Sequence, residues 1–177
     1  MRYLKVTVQD RTGNGRADSV LLQFCEQVGK PGEDQVIDKA FALDFDADGR
    51  VDYKMGDVTG NGRENNVDQR LLESFANACL KLHWFNRGAT WTRFIKLFAE
   101  DFHRDGTPNV VRLQWHEGQG LASDCMRGAW SVAFDADNDG RLDGSVQGDV
   151  NRDGQVDRVD QALVLQLARA FLKFNWR

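Results

Sequence analysis

A chain of 177 residues with 27 acidic and 23 basic side chains carries a formal charge of −4. Its apolar fraction of 41% is enough for a globular core. No signal-like leader or membrane-length apolar run is read in it. The scattered basic residues show no nucleic-acid module. Cys25, Cys79 and Cys125 are an odd set without framework spacing, so they are expected to be buried thiols and not disulfides.

Along the chain, Leu4, Val6 and Val8 alternate as a half-buried strand does, and so do Val20, Leu22 and Phe24. Between them, Asp10, Thr12, Asn14, Arg16 and Asp18 stand two residues apart around Gly15. Residues 26–34 read as a connection, and Phe41 and Leu43 end a short strand. A second loop follows with Asp44, Asp46, Asp48, Arg50 and Asp52 around Gly49. A third holds Asp57, Thr59, Asn61, Arg63, Asn65 and Asp68 around Gly62. Val67, Leu71, Leu72, Phe75, Cys79 and Leu82 then form one amphipathic helical stripe.

The order then repeats. With a shift of 91 residues, Arg2-Tyr3-Leu4-Lys5-Val6 falls on Arg93-Phe94-Ile95-Lys96-Leu97, and Asp44 falls on Asp135. One added residue later, Gly56-Asp57-Val58 falls on Gly148-Asp149-Val150. The chain is therefore read as a duplication, with units 1–88 and 89–177 fused into one domain. The second unit has strands through Ile95, Leu97 and Ala99 and through Val111, Leu113 and Trp115. Val132 and Phe134 end another short strand, and 117–128 read as a connection. Its first loop is poorer in oxygen ligands, with Asp101 and Asp105 but His103 and Pro108 also inside it. Its second loop offers Asp135, Asp137, Asp139, Arg141 and Asp143. Its third offers Asp149, Asn151, Asp153, Gln155, Asp157 and Asp160, and leads into the stripe Val159, Leu163, Val164, Leu167, Phe171 and Phe174. The expected fold is α+β. It consists of two pseudo-two-fold-related repeats, each of short strands with calcium loops followed by one amphipathic helix, and the helices pack together.

The loop spacing carries the chemistry. Oxygen ligands at positions 1, 3, 5, 7, 9 and 12 with Gly at 6 are the pattern of an EF-hand loop, which gathers six to eight oxygens at about 2.3–2.6 Å from a hard cation. Position 7 contributes a backbone carbonyl, here from Arg16, Arg50, Arg63, Arg141 and Gln155. Eighteen of the 27 acidic residues occupy such positions. Carboxylate count ranks the Asp44, Asp135 and Asp149 loops first, then Asp57 and Asp10, then Asp101. About three to six Ca2+ ions are expected by this spacing, and a lanthanide could occupy the same oxygens.

The element Gly148-Asp149-Val150-Asn151-Arg152-Asp153-Gly154-Gln155-Val156-Asp157-Arg158-Val159-Asp160, followed by Leu163 to Phe174, resembles a dockerin repeat. Gly56 to Leu82 resembles a second. The resemblance implies EF-hand-like calcium binding and docking to a protein partner. Phe41 to Asp52 looks like the calcium loops of integrin-type propeller blades. His83, His103 and His116 are scattered, and no nucleophile–base signature or phosphate loop is present, so no enzyme is expected. The leading expectation is a calcium-stabilised interaction or structural module with an unknown protein partner. Alternatives are an intracellular calcium sensor or buffer, and a calcium-dependent carbohydrate-binding module using Trp91 or Trp130. Calcium supply favours an extracellular, cell-surface or periplasmic setting; a native start at Met1 favours the cytoplasm.

Overall fold

A computed structural model describes residues 1–29, 33–87, 93–118 and 126–177. The elements are β1 (Arg2–Asp10), β2 (Ser19–Gln27), β3 (Asp34–Leu43), β4 (Tyr53–Met55), α1 (Asn66–Leu80), β5 (Asn86–Arg87), β6 (Arg93–Glu100), β7 (Val110–Glu117), β8 (Met126–Phe134), β9 (Gly144–Val146) and α2 (Arg158–Lys173). Eight strands follow the order β4-β3-β2-β1-β6-β7-β8-β9, each antiparallel to the next, and β5 runs parallel beside the end of β1.

This overturns the expected α+β arrangement of short strands around two packed helices. The six main strands run eight to ten residues and form one sheet through the whole chain. Among the described residues, helix is confined to α1 and α2. The error has a physical source. The first half of β3 is largely exposed and sets Val36 and Ile37 side by side, so it lacks the alternation that marks a half-buried strand. Residues 26–34 and 117–128, read as connections, also lend their ends to β2, β3, β7 and β8.

The strand alternation places Leu4, Val6, Val8, Val20, Leu22, Phe24, Ile95, Leu97, Val111, Leu113 and Trp115 in one buried cluster. Leu72, Phe75 and Cys79 of α1 and Val164, Leu167 and Phe171 of α2 belong to the same cluster, so both units share one core. Phe75, Phe171 and Phe174 are fully buried, each contributing about 1.5–3 kcal/mol by transfer from water. Phe174 also packs against Phe75 and Phe24, with ring centroids 5.3 and 6.0 Å apart.

The β1–β6 ladder joins the units. Its register sets Lys5 opposite Lys96, flanked by Leu4 opposite Leu97 and Val6 opposite Ile95. Exchanging the units therefore maps the ladder onto itself. On the sheet face away from the main core, each of these lysines crosses to a ring of the other unit. Lys5 Nζ lies 4.5 Å from the Phe94 centroid and Lys96 Nζ lies 4.2 Å from that of Tyr3. Lys96 also pairs with Asp34 at 3.3 Å, and the Tyr3 hydroxyl donates to Asp34 at 2.5 Å. Burial lowers the Lys5 pKa and, with Asp34, raises that of Tyr3.

Candidate metal centre

The topology distributes the six loops. The β1–β2 loop (Asp10–Asp18) and β3–β4 loop (Asp44–Asp52) lie side by side at one end of the sheet. Because β6 is antiparallel to β1, the β6–β7 loop (Asp101–Asn109) and β8–β9 loop (Asp135–Asp143) lie at the other end. The remaining two loops, Asp57–Asp68 and Asp149–Asp160, run into α1 and α2.

One hydrogen-bond pattern recurs in all six. The position-1 carboxylate accepts backbone N–H groups from positions 5 and 6. For Asp44 the donors are Asp48 at 3.2 Å and Gly49 at 2.8 Å; for Asp149 they are Asp153 at 3.2 Å and Gly154 at 2.9 Å. Asp10, Asp57, Asp101 and Asp135 repeat it. The position-5 side chain (Asn14, Asp48, Asn61, Asp105, Asp139 or Asp153) accepts the N–H of position 7. The glycine at position 6 has φ between 80° and 92° in every loop, a region costly for any residue with a Cβ. Position 4 is also left-handed throughout: Gly13, Ala47, Gly60, Arg104, Asn138 and Arg152. The sequence reading missed this second requirement, although Gly13, Gly60 and Asn138 are residues suited to it.

The loops differ in how they close. In the hairpin loops, the position-9 side chain accepts the N–H of position 2: Asp18 from Arg11, Asp52 from Phe45, Asn109 from Phe102 and Asp143 from Ala136. In the loop–helix elements the position-12 aspartate closes the loop instead, on position 3 in both and also on position 2 in the second. Asp68 accepts from Thr59 N and Oγ1, and Asp160 from Val150 and Asn151 N–H. The same carboxylates accept the N–H of Asn65 and Asp157, and those residues cap α1 and α2 through Val67 and Val159. Each pair forms a reciprocal capping box. Asn65 thus spends its side-chain oxygen on the helix cap, and its amide nitrogen donates to the Arg63 carbonyl.

Two triplets, Asp44/Asp46/Asp48 and Asp135/Asp137/Asp139, each bring three carboxylate oxygens within 4.8 Å of one another. Oxygens at that separation suit a hard divalent cation, so these residues fit Ca2+. In the Asp149 loop, Asn151 stands in place of the middle carboxylate, and its amide donates to Asp153 at 3.0 Å. Thr12 and Thr59 hold that place in the Asp10 and Asp57 loops, each hydrogen-bonded to the position-1 aspartate. In the Asp101 loop it is held by His103, whose ring lies against exposed Phe102.

The loop carboxylates are under opposing influences. Burial raises the Asp44 pKa, and the bonds from Gly49 and Asp48 do not fully offset it. At Asp57 and Asp135 burial acts in the same direction but is outweighed by backbone N–H donors, so both fall below the ordinary range. The Asn138 side chain, then Thr107 N–H, lowers Asp105.

Neighbouring loops touch. Asn138 Nδ2 donates to Asp105 Oδ2 at 3.0 Å, and Arg16 donates to the Ala47 carbonyl at 3.3 Å. Cys25 and Cys79 are free and buried; Cys125 and Trp91 lie outside the described residues. Trp84 is buried against Trp115, whereas Trp130 is 56% exposed. Among the described residues, no helix is long and apolar enough to cross a membrane. Compared with known proteins, the chain matches no family model, no curated protein and no solved structure.

Proposed function

We propose that the chain is a calcium-binding, calcium-stabilised interaction or structural module and not an enzyme. The observation that carries this reading is the gathering of three carboxylates within 4.8 Å at two equivalent hairpin loops, at opposite ends of the sheet. Close anionic oxygens repel one another, and a divalent ion relieves that repulsion in the folded state only. Six loops sharing one backbone pattern support the same reading. The two helices start on Asp68 and Asp160, so ion binding and helix initiation would draw on the same carboxylates.

Calorimetric titration of metal-stripped protein with Ca2+, with melting curves recorded in Ca2+ and in chelator, tests the proposal. We expect saturable binding of more than one ion. An ion at a hundred times its Kd adds about 2.7 kcal/mol of stability per site, so the melting point rises with Ca2+. Binding heats at background level together with identical melting points would overturn it. Weak binding with a large melting shift marks a structural module; submicromolar binding favours the sensor or buffer alternative.

A further inference from the structure

A cleft of about 520 Å³ opens between the β1–β2 loop, the β3–β4 loop and the C-terminal end of α1. Leu80 gives it a half-buried apolar side chain, backed by Leu82 and Phe85, which belong to the core. Its rim carries Arg16, Arg50, Lys81 and His83, all exposed, against the single acid Asp48. The ion pairs among the described residues involve none of these cations. Arg16 spans the two loops through the Ala47 carbonyl and so fixes one wall.

The duplication supplies an internal comparison. In the first unit, Asn77 reaches across from α1 and accepts the Val51 N–H at 2.9 Å, a short side chain that leaves space beside it. Its counterpart in the second unit is Arg169. That guanidinium extends over the equivalent place and donates twice to the Leu142 carbonyl, at 2.8 and 2.6 Å. The rim differs too: Arg16 and His83 correspond to Thr107 and Asn175. Among the described residues, this set of four cationic residues around a cleft belongs to the first unit.

We propose that this cleft binds a small amphipathic organic anion, with an aryl or alkyl body on Leu80, backed by Leu82 and Phe85, and a carboxylate, sulfonate or similar head held by Arg16, Arg50 and Lys81. An apolar floor with a few convergent polar groups is the usual composition of a small-molecule site. Arginine and lysine at its mouth select for negative charge. The inference rests in one respect on the calcium reading: the two loops that wall the cleft carry Asp10, Asp18, Asp44, Asp46, Asp48 and Asp52, whose charge a bound ion offsets.

The test is a fluorescence titration in calcium buffer with 1-anilinonaphthalene-8-sulfonate, alongside its uncharged analogue N-phenyl-1-naphthylamine. Saturable one-to-one binding of the sulfonate is expected, with the uncharged analogue at least about tenfold weaker through loss of the charged contact. Asn77→Arg, which imports the residue of the second unit, should abolish binding. Lys81→Glu should weaken it by about tenfold or more, and Lys173→Glu, at the corresponding place in α2, should leave it within about twofold. Circular dichroism and a cooperative melt establish that each variant is folded; Lys81→Glu changes an exposed side chain and keeps the test decisive if Asn77→Arg misfolds. No saturable binding by the parent chain, unchanged binding by folded Lys81→Glu, or equal affinity for the uncharged analogue overturns the proposal.

Discussion

Single carboxylates do several jobs in this molecule, and Asp160 shows it most clearly. It is fully buried and accepts the backbone N–H groups of Val150, Asn151 and Asp157. Asp160→Ala leaves three donors without their acceptor, at about 1–3 kcal/mol for each group that stays dry. A large loss of metal-free stability in urea melts is therefore expected, in addition to lost calcium at that loop. A variant as stable as the parent without calcium would show that the carboxylate is not needed to close the loop. The pH dependence follows from the neighbouring aspartates. Asp57 and Asp135 titrate below the ordinary value of 3.8, so their contribution is complete above that pH and is lost as pH falls through their folded values. Asp44, raised by burial, contributes in the opposite sense: its share is complete below its unfolded value and is lost as pH rises through the folded one. In chelator, Asp135→Asn should flatten the acid limb of the stability curve. An unchanged limb counts against the assignment.

At the scale of the element, the loops work in adjacent pairs. Asn138, at the left-handed position of one hairpin loop, donates to Asp105 of its neighbour. Fixing Asn138 by an ion in its own loop would also fix Asp105, so the Asp101 and Asp135 loops are expected to fill cooperatively. Asn138→Ala should lower the Hill coefficient of calcium binding while sparing the Asp44 loop; an undiminished coefficient argues that the pair is independent. The recurring Asp, Asn and Gly spacing made these loops legible in the sequence, since each loop's carboxylates and its glycine lie within one short segment. Ties such as Asn138 to Asp105 and Arg16 to Ala47 depend on strands that pair far apart in the chain, which a local pattern does not record. The amphipathic stripes likewise located α1 and α2. The exposed, non-alternating first half of β3 concealed its pairing with β2, and β4 and β9 are too short to carry a period.

Across the whole molecule, the sheet and not the helix pair is the frame, and one core draws on both units. The repeats were visible in the sequence, but not the edge along which they meet. That edge is decided by the register of β1 with β6, a long-range choice fixed by what each face buries. Chelation is therefore expected to lower one shared melting transition, since neither half has a core of its own.

The register at Lys5 and Lys96 has a consequence for ancestry. Two strands that meet about a central matched pair need not come from one polypeptide, because two identical copies of β1 can meet in the same way, lysine beside lysine. A free fragment of residues 1–87 should accordingly self-associate into a homodimer that rebuilds the continuous sheet, as a half-length ancestor would have done before its gene was joined to itself. Sedimentation equilibrium decides it: a fragment that is folded and strictly monomeric would remove the homodimer from the history of this fold.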